Sequence, residues 1–336
     1  MDYLKSLILS LSGIYGVSGC EGSAAEAAKK ELAKYMNVRT DALGSIIGET
    51  ESGEVSVLLD AHIDQIGMVV TEITEKGFIK VCKCGGMDAR VLAAHEVIIL
   101  GKEKVFGVVT STPPHLKGDD DSNKATKIED ILIDTGLSQE RAKELISPGD
   151  RVVLKGAQNE LLNGNISSPS LDDRCGVASI LRCLEILKDK KHRCKLTALF
   201  SVQEETGGGG ARTGSFAANA DISLAVDVSF AHAPNISPEM SGKLTGGPMI
   251  GFSPILDNEL SNKLKQIAAD KGINYQIEAM GSRTGTNADS IQNSGAGTRM
   301  CLLSIPLRNM HTGIEMINIA DVEATAQLMA EFILSI

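Results

Sequence analysis

The chain has 336 residues, which exceeds the size at which one hydrophobic core usually stops growing, so we expect one large domain or two smaller ones. Its 43 acidic residues outnumber its 33 basic residues, and the net charge of -10 argues against a nucleic-acid partner. The seven cysteines lack the spacing of paired zinc ligands, so reduced thiols in a cytoplasmic protein are expected.

The N-terminal region predicts two helices joined by a glycine loop. The stretch SLILSLSGIYGVSGC ends like a lipoprotein signal at Cys20, but Asp2 stands where such a signal needs basic residues, so a helix is favoured. Ser23 and Glu26 have the spacing of a capping box, which predicts that a second helix, AAEAAKKELAKYM, begins there. No run approaches the roughly 18 apolar residues of a membrane span, so no membrane partner is expected.

The middle of the chain predicts a β-rich domain. Between residues 71 and 163, short runs rich in valine and isoleucine are broken by glycine, as in GFIKVCKCGG, EVIILGKEKVFGVVTS and DRVVLKG. Within this region LSQERAKELI predicts a short helix that is capped by Ser138. The acidic run at residues 119–121 predicts a solvated surface loop.

The remainder of the chain predicts an α/β sheet. From Leu171 onward, helical patterns such as RCGVASILRCLEILK alternate with the apolar strand runs KLTALFSV, ISLAVDV and TRMCLLSIPL. We therefore predict an α/β domain formed by residues 1–68 and 164–336. The β-rich domain, residues 69–163, is inserted into it.

Few polar side chains lie at the ends of these apolar runs. In open α/β sheets, ligands bind beyond the carboxyl ends of the strands, where these groups would converge. Histidine nitrogens and carboxylates without cysteine suit zinc, cobalt or manganese. The set consists of His62 and Asp64 after VSVLLDA, Asp172 and Asp173 before a helix, Glu204 and Glu205 after LTALFSVQ, Asp227 within SLAVDV, and His311 after CLLSIPLRNM.

Several of these residues also have structural interpretations. His62 alone fits a buried core histidine, although Asp64, two residues on, would share its strand face and could orient the ring. Asp172 fits the N-cap of a helix that begins at Arg174. Asp227 is harder to explain structurally, because an unpaired carboxylate inside an apolar strand is costly.

The adjacent glutamates Glu204 and Glu205 stand at the end of a predicted strand. Successive strand side chains point to opposite faces, so the two carboxylates can serve two different purposes. The four glycines that follow lack the G-x-x-x-x-G-K-[ST] pattern of a phosphate-binding loop, so they indicate one only weakly.

Eight motifs follow one another along the chain: GVSGCEG, DAHIDQIGMVV, PPHL, SLDDRCGVA, VQEETGGGGA, AVDVSFA, GTNADSIQ and SIPLRNMHTGIEMI. In these motifs the chain resembles the tetrahedral-assembly aminopeptidases of metallopeptidase family forty-two over essentially its whole length. The resemblance implies an α/β catalytic domain with a mixed sheet. It also implies an inserted β-barrel domain that mediates assembly into dimers and tetrahedral dodecamers.

The resemblance further implies a dinuclear site with two divalent ions per chain, zinc or cobalt, with manganese as an alternative. Asp173 would follow Asp172 across a cis peptide. The chain has Gln65 and Asn287 where the family usually has acids, and SFAHAP also departs from the family pattern, so the way in which the substrate's amino group is held is expected to differ. The implied residues are His62, Asp172 and Asp227 for one ion, Asp172, Glu205 and His311 for the other, Glu204 as general base, and Asp64 as the catalytic partner of His62.

The implied activity is the removal of N-terminal residues from short peptides by a cytoplasmic homo-oligomer. A glucanase-type glycosidase is one alternative, but that chemistry needs two carboxylates and no metal. With no tryptophan, seven phenylalanines and four tyrosines, the chain also has few side chains that stack on sugars. A catalytically inactive relative that only assembles is the second alternative, and the presence of Glu204 with all five implied metal ligands argues against it.

Overall fold

The computed structural model describes residues 2–113 and 126–336. These residues form a mixed eight-stranded sheet with helices, a closed six-stranded barrel and a small three-stranded sheet. The predicted α/β fold with an inserted β-barrel is therefore confirmed. The predicted acidic loop at residues 119–121 and most of the PPHL motif lie outside the described residues.

Within these two ranges the chain contains eight α-helices and seventeen strands, and no described helix is long and apolar enough to cross a membrane. The helices are α1 (Asp2–Ser12), α2 (Gly22–Leu32), α3 (Gln139–Leu145), α4 (Leu171–Leu187), α5 (Gly209–Ala218), α6 (Asn258–Lys271), α7 (Ala288–Ile291) and α8 (Ile319–Leu334). The strands are β1 (Asn37–Thr40), β2 (Ile46–Glu49), β3 (Val55–His62), β4 (Gly67–Ile73), β5 (Ile79–Cys84), β6 (Glu96–Leu100), β7 (Lys104–Val109), β8 (Leu132–Asp134), β9 (Arg151–Leu154), β10 (Asn159–Glu160), β11 (Asn165–Ser168), β12 (Cys194–Ser201), β13 (Ile222–Phe230), β14 (Met249–Phe252), β15 (Gln276–Ala279), β16 (Arg299–Leu307) and β17 (Glu315–Asn318).

The α/β domain is built on the eight-stranded sheet, with strand order β1-β2-β12-β3-β13-β16-β14-β15. The four central strands are parallel, and β2 and β14 join them in antiparallel pairs. One face packs against α1, α2, α4, α6 and α8, and the other packs against α5 and α7. Covered on both faces, β3 is buried from Val57 to His62, which explains its continuous apolar run. The carboxyl ends of the parallel strands meet at one edge of the sheet.

The barrel closes in the order β4-β5-β8-β7-β6-β9, with antiparallel pairing throughout. Along β7 the side chains alternate between the barrel core and solvent, as expected for a strand with one buried face. The barrel strands run from Gly67 to Leu154. Strand β10 lies inside the predicted insert, residues 69–163, but it pairs with β11 rather than with the barrel.

Two helix starts were predicted from capping patterns, and they differ in outcome. Ser138 caps α3 as predicted, since its hydroxyl accepts a hydrogen bond from the Arg141 N–H at 3.3 Å. The capping box of Ser23 and Glu26 is wrong, because α2 already begins at Gly22 and no side chain caps this end. A capping residue needs a non-helical backbone, whereas Ser23 lies in the first helical turn.

Candidate metal centre

His62 is the last residue of β3 and is only 1% exposed. Its Nδ1 lies 3.1 Å from the main-chain oxygen of Asp64 and 3.5 Å from Asp64 Oδ1. The backbone carbonyl of Asp64, rather than its carboxylate, is therefore the nearer partner of the ring. This contact leaves Nε2 free to face Asp172, whose Oδ1 is 3.1 Å away.

The Asp64 carboxylate contacts the turn that contains the two glutamates. It is fully buried and accepts the main-chain N–H groups of Glu204 at 2.9 Å and Glu205 at 3.2 Å. Strand β12 already ends at Ser201, and Gln203 has a left-handed backbone with φ 61. The alternation of strand side chains therefore does not decide where the two glutamates point, which corrects that part of the sequence interpretation. Two amide groups on one buried carboxylate fix the turn instead.

Asp172 lies between two histidines. Its Oδ1 is 3.1 Å from His62 Nε2, and its Oδ2 is 3.3 Å from His311 Nε2. The peptide bond between Asp172 and Asp173 is cis, in agreement with the resemblance. The alternative role of helix cap belongs to Asp173, whose Oδ1 accepts the N–H of Gly176 at 3.1 Å. Asp172 thus has both carboxylate oxygens directed at imidazole nitrogens.

Two further carboxylates approach the same nitrogen atoms. Asp227 Oδ1 lies 3.9 Å from His62 Nε2, and Glu205 Oε1 lies 3.4 Å from His311 Nε2. Asp227 is 6% exposed, so its carboxylate is almost completely removed from water. Each histidine therefore faces Asp172 and one carboxylate of its own.

The electrostatics of this cluster favour added positive charge. Burial raises the pKa of Asp227 well above its ordinary value and raises the pKa of Glu204 to about 7. Burial lowers the pKa of His311, but its hydrogen bonds with Asp172 and Glu205 outweigh burial and raise the pKa to about 11. Raised pKa values on acids and bases together mean that a proton or a cation stabilises the site.

The donor atoms also have spacings that suit cations. Those of His62, Asp172 and Glu205 lie within 4.8 Å of one another, and so do those of His62, Asp173 and Asp227. The sequence interpretation did not assign Asp173 as a ligand, and its Oδ2 has no hydrogen-bond partner in the structure. Nitrogen and oxygen donors without a thiolate fit zinc, cobalt or manganese.

Comparison with known proteins places this chain in a family. Residues 44–328 match the family model described as M42 glutamyl aminopeptidase. The chain belongs to the M42 family. A lysyl aminopeptidase from Pyrococcus furiosus is 31% identical to it over 93% of this chain and 92% of its own length.

Two solved structures share the complete fold of this M42 chain. A TET aminopeptidase from a marine sediment archaeon, Thaumarchaeota archaeon SCGC AB-539-E09, matches with a TM-score of 0.94 and 27% identity, covering 99% of this chain and 96% of that one. The TET1 peptidase of Pyrococcus horikoshii, which can assemble into a tetrahedron or a large octahedral shell, matches with a TM-score of 0.88 and 30% identity, covering 99% and 100%. The family resemblance found in the sequence is therefore confirmed.

The M42 chain has a buried carboxylate beside the centre that the sequence interpretation missed. Glu315 is 2% exposed; its Oε2 accepts the N–H of Asp172 at 3.0 Å, and its Oε1 accepts the N–H of His311 at 2.9 Å. It therefore holds the backbones of two candidate ligands. An acid that opens the apolar run EMINIA could have been noticed by the same argument that singled out Asp227.

A buried cation was also missed. Arg174 is 1% exposed, and its Nε donates to the carbonyl of Ile63 at 2.7 Å. Its Nη1 donates to the carbonyls of Leu11 at 2.8 Å and Ile14 at 3.2 Å. Arg174 thus connects the loop after β3 to the end of α1. Nothing in the sequence indicates this role, because an arginine near a helix start usually lies at the surface.

The two positions that depart from the family pattern are occupied by buried amides. Gln65 is 6% exposed, and its Oε1 accepts the N–H of Gly16 at 3.0 Å. Asn287 is 2% exposed, and its Nδ2 donates to Asp60 Oδ2 at 2.9 Å and to Ser201 Oγ at 2.8 Å. These contacts are with other groups of the protein, and an effect on the substrate's amino group stays a prediction.

Proposed function

We propose that this M42 family member is a dinuclear metal-dependent aminopeptidase that removes N-terminal residues from short peptides. The observation that supports the dinuclear site is the position of Asp172, whose two oxygens face His62 and His311 at 3.1 and 3.3 Å. A carboxylate between two imidazoles can act as a shared ligand of two cations. The lysyl aminopeptidase activity named for the Pyrococcus furiosus relative supports a peptide substrate.

The proposed ligands divide into two sets that share Asp172. When bound, a pair of divalent ions lowers the pKa of a water molecule toward about 7 and polarises the scissile carbonyl. Zinc or cobalt suits these nitrogen and oxygen donors, and manganese is the alternative. The sets are His62, Asp172 and Asp227 for the first ion and Asp172, Glu205 and His311 for the second.

Glu204 is the proposed general base. Its neighbour Glu205 is a proposed ligand, and the main-chain N–H groups of both are held by Asp64. In this mechanism Glu204 accepts a proton from the attacking water and delivers it to the nitrogen of the leaving amine. Asp64 contributes by positioning His62 and the glutamate turn together.

We also propose that the chain forms a homo-oligomer and that the β-rich insert, residues 69–163, is its assembly domain. The tetrahedral and octahedral assemblies of the Pyrococcus horikoshii relative support this. So does the outer surface of the barrel, where Phe106 is 46% exposed and Val108 is 36% exposed on the same strand. The cytoplasmic location stays a prediction.

The activity is tested by removing and restoring the metal. Purified protein is treated with a chelator, desalted and assayed on a panel of aminoacyl-p-nitroanilides before and after addition of zinc, cobalt or manganese. An N-acetylated aminoacyl substrate and a soluble glucan serve as controls. We expect chelation to abolish hydrolysis, a transition ion to restore it, and only substrates with a free amino group to react.

Three outcomes would contradict the proposal. Full activity in protein shown by elemental analysis to lack metal would exclude a metal-dependent reaction. Hydrolysis of the glucan without hydrolysis of peptides would support the glycosidase alternative. Protein that holds two ions but hydrolyses nothing would support the inactive, assembling relative.

A further inference from the structure

The barrel contributes a main-chain group to the metal centre. The connection between β5 and β6 brings Gly85 and Gly86 to the edge of the α/β sheet, where the carbonyl oxygen of Gly86 lies 2.9 Å from His311 Nδ1. We propose that this glycine turn positions the imidazole of His311, so that the barrel completes the second metal position. The inference rests on the proposed function, because it assigns a role at the same site.

A histidine that binds a metal through one nitrogen usually donates its other N–H to a carbonyl or carboxylate, which fixes the tautomer and the ring orientation. For His62 that partner is the carbonyl of Asp64, within the α/β domain, at 3.1 Å. For His311 it is the carbonyl of Gly86, within the barrel. The two imidazoles of the centre are therefore oriented by different domains.

The approach of the turn is close enough to require glycine. A Cβ atom at Gly86 would lie 2.6 Å from His311 Nδ1 and 2.7 Å from its Cε1, distances that real Cβ atoms do not adopt. A Cβ atom at Gly85 would lie 3.3 Å from Glu205 Oε2. The turn thus packs against both ligands that belong to the second ion alone.

The segment that contains His311 is held from two sides. On the α/β side, Glu315 accepts the His311 N–H at 2.9 Å. On the barrel side, Gly86 contacts the ring, and a Cβ atom at Gly313 would lie 3.3 Å from His95 Nε2. The backbone of His311 therefore depends on the α/β domain, whereas the direction of its ring depends on the barrel. Disturbing the turn should weaken the binding of the second ion and leave the first ion bound.

The test compares two substitutions that place a methyl group equally close to a neighbour. In Gly86→Ala the new Cβ meets His311 Nδ1 at 2.6 Å; in Gly107→Ala, inside the barrel, it meets Ile133 Cγ2 at 2.6 Å. The metal content of each variant is measured after desalting, and cobalt titration followed by visible absorption gives the affinity of each ion. We expect Gly86→Ala to keep one ion and to bind the second roughly 10- to 100-fold more weakly. We expect Gly107→Ala to keep both.

A double variant shows whether the effect acts through the ring. In a His311→Ala background, adding Gly86→Ala should change neither metal content nor thermal stability, because the methyl group then has no ring to displace. If Gly86→Ala alone does not fold, the double variant should fold. Its failure to fold would overturn the inference, because the glycine would then be needed by the barrel itself.

Two other results would also overturn it: two ions bound to Gly86→Ala with wild-type affinity, or equal loss of the second ion from Gly107→Ala. A wild-type chain that binds no divalent ion would instead refute the proposed function. Wild-type protein that binds two ions and hydrolyses peptides, beside an unaffected Gly86→Ala, would refute this inference alone.

Discussion

Replacing Glu315 by glutamine should loosen two proposed metal ligands at once. The carboxylate accepts the N–H groups of Asp172 and His311 with one oxygen each, at 3.0 and 2.9 Å, and it is 2% exposed. The amide of Glu315→Gln keeps one acceptor oxygen and turns its NH2 group toward the other N–H. One buried donor then faces another donor, and that hydrogen bond is lost.

The magnitude follows from this geometry. A buried N–H that is left without an acceptor costs about 1–3 kcal/mol, so we expect the free energy of unfolding to fall by about 2 kcal/mol. The displaced backbone belongs either to Asp172, the proposed shared ligand, or to His311. Mutation of a group that supports a metal ligand typically lowers metal affinity or activity about 10- to 100-fold. We expect kcat/KM and metal affinity to fall by roughly that factor.

Asp321→Asn provides a matched control. Asp321 is also fully buried and also accepts two main-chain N–H groups, from Thr245 and Gly247, both at 2.8 Å, but it contacts none of the proposed ligands. Both variants should lose similar stability in urea unfolding, and only Glu315→Gln should lose metal and activity. Wild-type metal content and kcat/KM in Glu315→Gln would refute the argument, as would equal functional losses in both variants.

Three further predictions follow from the same contacts. Glu205→Ala should lose one ion per chain together with activity, whereas Glu204→Gln should keep both ions while kcat falls by about two to four orders of magnitude. Metal content measured beside kcat separates the two roles, and the reverse pattern would mean that the roles are exchanged. Arg174→Met removes the donors to the carbonyl of Ile63 and to the end of α1, so thermal or urea unfolding should show a loss of at least about 3 kcal/mol, and a change below 1 kcal/mol would contradict the role of this cation. Replacing residues 67–154 by a short glycine-serine linker should give particles with fewer subunits, obtained as the mass from light scattering divided by the mass of the shortened chain. An unchanged number of subunits would mean that the barrel does not mediate assembly.

Much of the fold follows from local sequence patterns. Parallel strands covered on both faces read as continuous apolar runs, so β3, β12, β13 and β16 are recognisable without tertiary information. Their polar termini converge because the carboxyl ends of parallel strands share an edge. This is why His62, Asp227 and the glutamate pair can be selected from the sequence.

What could not be predicted depends on contacts between distant segments. Glu204 and Glu205 were expected to alternate along a strand, but their turn is fixed by the carboxylate of Asp64, far away in the sequence. The contact of Gly86 with His311 joins two domains and involves only a carbonyl group, which no residue type encodes. Local patterns also misplaced the start of α2, which begins at Gly22 without a capping side chain.

The central claim is that Asp172 is shared by two metal ions. It is tested most directly by a crystal structure of the chain grown with zinc and recorded on both sides of the zinc absorption edge. We predict two anomalous peaks per chain about 3.5–4 Å apart, one beside His62 and Asp227 and the other beside His311 and Glu205, with Asp172 in contact with both. A single peak, or two peaks that do not share Asp172, would contradict the dinuclear assignment.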